Sequence, residues 1–195
     1  MSFETIVDDY IREYRPRARG ELAEFRKLRS LKDAIHHASL CHWLPSELRH
    51  PHQYRIPAAA LLMAESKLQR VRNRLARAKT FEALHDEVEH QILSIRKIGP
   101  LAVYDIAHRI GAYRGLTPAI VYLHRGTREG ARALGFAGKT LDPRLLPKAF
   151  SRLKPYEIED CLCTYKNALR GAKPALRHGG ASICIPPSPH PRPHC

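Results

Sequence analysis

The sequence predicts an all-α protein with two lobes, and three observations carry that reading. Apolar residues recur at helical spacing in segment after segment across residues 1–170. Helix-start residues (Ser, Thr, Pro) precede those segments, and glycines follow several of them. No stretch shows the sustained period-two alternation of a strand.

Taken in order, Ser2 is a natural N-cap for a short amphipathic helix from Phe3 to Tyr14. Gly20 is expected to break the pattern. Leu22, Phe25, Leu28, Leu31 and Ile35 then repeat at helical spacing. Residues 41–56, CHWLPSELRHPHQYRI, read as a loop rich in Pro and His. Pro57 suits the first position of a long helix reaching Ala78. Thr80 caps the next helix, whose apolar stripe is Phe81, Leu84, Val88 and Ile92. Helix resumes from Leu101 to Tyr113, with Val103, Ile106, Ala107 and Ile110 inward. Thr117-Pro118 reads as the start of a short helix, and Gly126 to Leu134 as another, stopped at Gly135. Pro155 opens the last, YEIEDCLCTYKNAL. From residue 171 to 195 the chain turns Pro-rich and is expected to form a disordered tail beside a single 1–170 domain.

The 195 residues carry 33 Lys+Arg against 19 Asp+Glu, a net charge of +14, with 44% apolar residues. That is enough apolar content for a sizeable core. The excess charge implies a polyanionic partner. No apolar run is long enough for a transmembrane helix, and the N-terminus has no apolar signal region. With five cysteines, an odd number, a reducing cytoplasmic setting is expected.

The segment Gln91 to Ala107 places a tight turn, Lys97-Ile98-Gly99, between two helices. Free N–H groups at the start of the second helix, with Lys97 beside them, form a phosphate site. The pattern resembles the helix-hairpin-helix motif, whose usual form is Gly-hydrophobic-Gly, with Lys97 in place of the first glycine. In helix-hairpin-helix DNA glycosylases the hairpin is followed about twenty residues on by Val-Asp-x-His. Here Val121-Tyr122-Leu123-His124 stands at nearly that distance. The whole chain is similar to small bacterial anti-phage members that remove heavily modified bases such as glucosylated hydroxymethylcytosine.

The resemblance implies a cytoplasmic, monomeric, base-flipping DNA glycosylase acting on double-stranded DNA, including modified phage DNA. It would use no cofactor and contact no membrane. The alternative is a non-enzymatic helix-hairpin-helix DNA-binding protein. Two departures shape the expectation. The family's catalytic Asp falls on Tyr122, and the lyase Lys of bifunctional members falls on Leu101. Excision would then be monofunctional, leaving an abasic site without a lysine imine.

N-glycosidic cleavage builds positive charge on the sugar, so a carboxylate is required near it. Asp105, one turn beyond Leu101, is the first candidate, with a surface pairing to His108 or Arg109 as the alternative. Glu129 is the second, against a first-turn Glu favoured by the helix dipole. Tyr122 and His124 hold the signature positions. Lys97, Ile98, Gly99, Leu101, Arg125 and Arg128 are candidate DNA contacts, and Arg109 is counted in the same basic patch. In the 41–56 loop, Trp43 and Tyr54 are candidates to stack on an extruded base, with His50, His52, Gln53 and Arg55 as donors. Cys41, His42, His50 and His52 match no common zinc spacing, so no metal site is assigned.

Overall fold

Capping residues start several of the helices. A computed structural model describes residues 1–44, 46, 48–49 and 53–172. The expectations for His50, His52 and nearly all of the 171–195 tail lie outside the described residues. Ser2 Oγ accepts the Thr5 N–H at 3.1 Å and opens α1 (Phe3–Glu13), which buries Phe3, Ile6, Val7 and Tyr10. α2 (Arg15–Arg26) runs straight through Gly20, contrary to the expected break. One exposed glycine costs a helix only about 1 kcal/mol, and burial of Leu22 and Phe25 outweighs it. The chain breaks instead after Arg26, and Ser30 caps α3 (Leu31–Ser39).

Among the described residues of 41–56, a two-residue antiparallel pair, β1 (His42–Trp43) with β2 (Leu48–Arg49), stands between turns. The single helix expected from Pro57 to Ala78 is two, α4 (Ala58–Arg70) and α5 (Arg72–Arg77). Val71 leaves the helical region (φ −101°, ψ 14°), and the bend lets Leu68 and Leu75 both reach full burial. Thr80 Oγ1 accepts the Ala83 N–H and opens α6 (Phe81–Ile92), whose four predicted stripe residues are all buried. α7 (Pro100–Arg114) buries the four predicted positions and ends at Gly115, whose φ of +70° suits a glycine.

No helix starts at Thr117-Pro118. β3 (Val121–Tyr122) follows there and pairs antiparallel with β4 (Thr140–Leu141). Val121 and Tyr122 are buried, and a β-branched or aromatic side chain on a paired strand reaches the interior from both faces. α8 (Arg125–Ala133) ends as predicted near Gly135 (φ +85°). α9 (Pro155–Thr164) and α10 (Lys166–Leu169) divide at Tyr165 what the sequence presents as one helix.

Two hydrophobic clusters result. One gathers α2 to α7, with Phe25, Leu61, Leu84 and Ile106 among its fully buried members. The other joins α1 to β3, β4, α8 and α9 around Ile6, Phe150 and Leu162. Tyr122 and Tyr156 come from second-lobe elements yet pack in the first cluster, so they bridge the two. No helix among the described residues is long and apolar enough to cross a membrane.

α8 and α9 meet at glycine. A Cβ on Gly130 would lie 2.1 Å from the Leu162 carbonyl oxygen, a backbone atom that cannot rotate away. Gly130→Ala is therefore expected to destabilise the protein by about 3 kcal/mol through overpacking. A drop in the urea midpoint at unchanged m-value would show it.

Candidate functional site

The turn between α6 and α7 is built from both ends. Ile92, Ile95 and Ile98 are buried and pin it to the first cluster. Ile98 is thus an anchor, and any DNA contact there belongs to the backbone. Lys97 has φ +77°, a left-handed conformation that a glycine adopts freely and a lysine rarely does. Gly99 caps α7 in extended geometry without a side-chain cap bond, so the first helical N–H groups face outward. A Cβ on Gly99 would meet nothing within 4 Å, and Leu101 is 44% exposed. Beside the turn, Pro57, Met63, Lys67, Arg96 and Lys97 help line a groove of about 530 Å³.

One turn beyond Leu101 on α7, Asp105 is drawn inward. Gln53 Nε2 donates to its Oδ2 at 2.8 Å. The Gln53 carbonyl oxygen accepts from Arg109 NH1 at 3.1 Å, and Arg109 Nε donates to Glu21 at 2.8 Å. The surface pairing weighed for Asp105 does not form. Arg109 is 5% exposed and committed to this network, which removes it from the surface basic patch it was expected to join. Burial raises the Asp105 carboxyl to about 6 even though the Arg109 charge opposes it.

Glu159 on α9 is the acid the sequence reading missed. Thr127, buried at the start of α8, donates its hydroxyl to Glu159 Oε1 at 2.6 Å. Burial pushes the Glu159 carboxyl up to about 8, and the nearby charge of Asp105, which ionises first, adds to the rise. At neutral pH one acid of this pair is ionised and the other protonated, the division that general acid–base chemistry requires. No spacing within α9 marks Glu159, because its setting is created by α7 and α8.

Around the pair lies a wall of rings. Tyr104 sits 4.9 Å from His124, 5.1 Å from Tyr122 and 5.5 Å from His108, centroid to centroid. Tyr104 Oη, His108 Nε2 and His124 Nε2 are buried without a hydrogen-bond partner among the described residues. Burial holds both histidines down at about 4, so they are neutral donors or acceptors at pH 7. Tyr122 and His124 thus do converge with Asp105's helix, as packed aromatic neighbours of Tyr104.

Other candidates separate from this centre. Glu129 forms an ion pair with Lys166 at 3.0 Å, which holds its carboxyl below the usual range. Arg128 turns back to the Leu123 carbonyl at 3.1 Å, whereas Arg125 is exposed. Tyr54 is 63% exposed, Arg55 is also at the surface, and Gln53 is buried. Trp43 has one ring face covered by the Arg17 guanidinium, 4.1 Å from the centroid. No family model matches the chain, and no curated protein or solved structure matches it either.

Proposed function

We propose that the protein is a monofunctional DNA glycosylase of the helix-hairpin-helix kind, which flips and excises a modified base, with glucosylated hydroxymethylcytosine as the first substrate to test. The observation that carries the proposal is the Asp105–Glu159 pair, two half-buried acids with separated protonation behind a basic turn. In this reading the α6–α7 turn grips the DNA backbone through its outward N–H groups and Lys97. Glu159 gives its proton to the leaving base as the C1′–N bond breaks. The Asp105 carboxylate stabilises the positive sugar and takes a proton from the water that attacks C1′. Gln53, which covers Asp105 from the 41–56 loop, must swing away as the base enters. Leu101 supplies no amine, so borohydride is expected to trap no protein–DNA adduct.

The left-handed Lys97 supports the hairpin part of this reading, because it holds the conformation for which the motif's first glycine is used. Lys97→Gly is therefore expected to leave stability equal or higher. It should also lower the slope of log K against log salt by about 0.9, the loss of one phosphate contact. Fluorescence anisotropy on a duplex across a salt series reads both affinity and slope.

The direct test incubates the protein with duplexes carrying ordinary, hydroxymethylated and glucosylated cytosine and labels aldehydic abasic sites. Labelling confined to a modified duplex supports excision. Tight binding with no labelling on any duplex overturns it. The second reading, DNA binding without excision, is favoured by the Gln53–Asp105 bond and by Tyr122 at the signature acid position.

A further inference from the structure

We propose that His36, His37 and His42 form a binding site for a zinc-like divalent ion. Two of these residues lie on α3 and the third on β1, and the loop between them folds back so that their rings face one another. A ligand nitrogen from each lies within 4.8 Å of the others. The ring centroids are 5.1, 5.4 and 5.7 Å apart, with planes inclined at 78°, 56° and 74°. The inclined planes keep the rings from stacking and bring a nitrogen of each into one small volume. His37 Nδ1 and His42 Nδ1 are 3.1 Å apart. Two nitrogens bound to one tetrahedral zinc at about 2.05 Å would stand roughly 3.3 Å apart, so this edge of the tetrahedron is nearly formed.

The second observation lies behind the first ligand. Glu65 on α4 meets His36 Nδ1 at 2.6 Å. A ring nitrogen that donates to a carboxylate fixes the tautomer and leaves Nε2, made more basic, for a metal. This carboxylate–histidine arrangement recurs where imidazole binds zinc. The three side chains are half-buried, open enough for an ion to enter. Imidazole ligands suit zinc and neighbouring transition metals better than magnesium or calcium. The adjacent Cys41 is fully buried and turned to the backbone, where its thiol donates to the Ser39 carbonyl, so the site is built from the three imidazoles. A bound ion would tie the end of α3 to the β1–β2 hairpin and, through Glu65, to α4. Three protein nitrogens leave a fourth position for water.

The test uses untagged full-length protein stripped with chelator and titrated with zinc. Equilibrium dialysis should give one tightly bound zinc per chain, and cobalt in its place should give visible d–d bands. Binding should raise the melting temperature. His37→Gln and His42→Gln should each weaken binding 100-fold or more and abolish the cobalt bands. Glu65→Gln, which touches no metal, should weaken it 10- to 100-fold. His85→Gln, in the separate His85, Asp86, Glu89 cluster, should change neither the bands nor the affinity. Circular dichroism confirms that each variant is folded. The proposal is overturned if wild type binds no zinc at micromolar concentration, or if folded His37→Gln and His42→Gln bind as tightly as wild type. These readouts are independent of base excision.

Discussion

Asp105→Asn is expected to reduce base excision by about a thousandfold while leaving DNA affinity within about twofold. Asparagine keeps the shape and can still accept the Gln53 hydrogen bond, so the network around it survives. Arg109 retains Glu21 as its counter-charge at 2.8 Å, so the substitution does not strand a buried cation. What disappears is the negative charge available to the developing sugar cation. The pH dependence sharpens the expectation. Asp105 must be ionised and Glu159 protonated, so excision should rise through about pH 6 and fall through about pH 8. Glu159→Gln should remove the falling limb and lower the maximum, because the amide still accepts from Thr127 but has no acidic proton.

Stability provides a check that does not depend on excision. Glu159 has its pKa raised in the folded protein. From the usual carboxylate range up to about pH 8 the unfolded chain is therefore ionised while the folded one keeps its proton. Stability should fall with rising pH across that window and level off above it. Glu159→Gln should flatten this dependence. Single-turnover rates and melting curves over pH 5–9 measure both effects. A folded Asp105→Asn that excises at the wild-type rate would remove Asp105 from the catalytic role, whereas wild-type protein that binds duplexes without excising any base would leave DNA binding alone as the function.

Local signals in the sequence were read well, and tertiary ones were not. Ser2, Thr80 and Gly135 mark element ends because a cap or a left-handed residue acts within a few positions. The stripe Phe81, Leu84, Val88 and Ile92 was legible because one helix face meets one core. Gly20 misled because a local propensity of about 1 kcal/mol is smaller than the burial of Leu22 and Phe25. Thr117-Pro118 misled because the β4 partner that captures Val121 and Tyr122 lies some twenty residues away. The same limit governs the candidate site. The spacing from Leu101 singles out Asp105 as a candidate, but Arg109 reads as a surface charge because its partner Glu21 is remote in sequence. Glu159 went unseen because only the packing of α7, α8 and α9 withdraws it from water. The three-histidine cluster depends on the α3-to-β1 turn, which places His42 against His36 and His37 at a spacing typical of no metal motif.

Glu157→Gln is expected to be the most destabilising conservative change, at about 3 kcal/mol. The Glu157 side chain is fully buried. Its carboxylate accepts from Arg19 Nε at 2.8 Å and from the Lys154 backbone N–H at 2.9 Å, and Arg15 Nε lies 3.3 Å away. Two guanidinium groups from α2 thus converge on one acid of α9, joining an element of the first cluster to one of the second. Glutamine can keep the Lys154 bond through its carbonyl oxygen, but it presents amide hydrogens to the arginines and balances neither charge. Removing one partner of a buried pair costs about 3–5 kcal/mol. The lower end applies here because Arg19 is 49% exposed and recovers water. A melting temperature lower by roughly 10 °C should accompany the change. Arg19→Gln alone should cost less, because Arg15 still faces Glu157. In a double-mutant cycle, Arg19→Gln added to Glu157→Gln should cost clearly less than it does in wild type, since the arginine has already lost its acid. The functional consequence follows from position. α2 packs against α7, which carries Asp105, and Glu157 lies two residues before Glu159 on α9. Loosening the α2–α9 clamp should therefore lower excision more than DNA affinity, because the α6–α7 turn proposed to grip the backbone belongs to one lobe while the proposed catalytic acids are contributed by both.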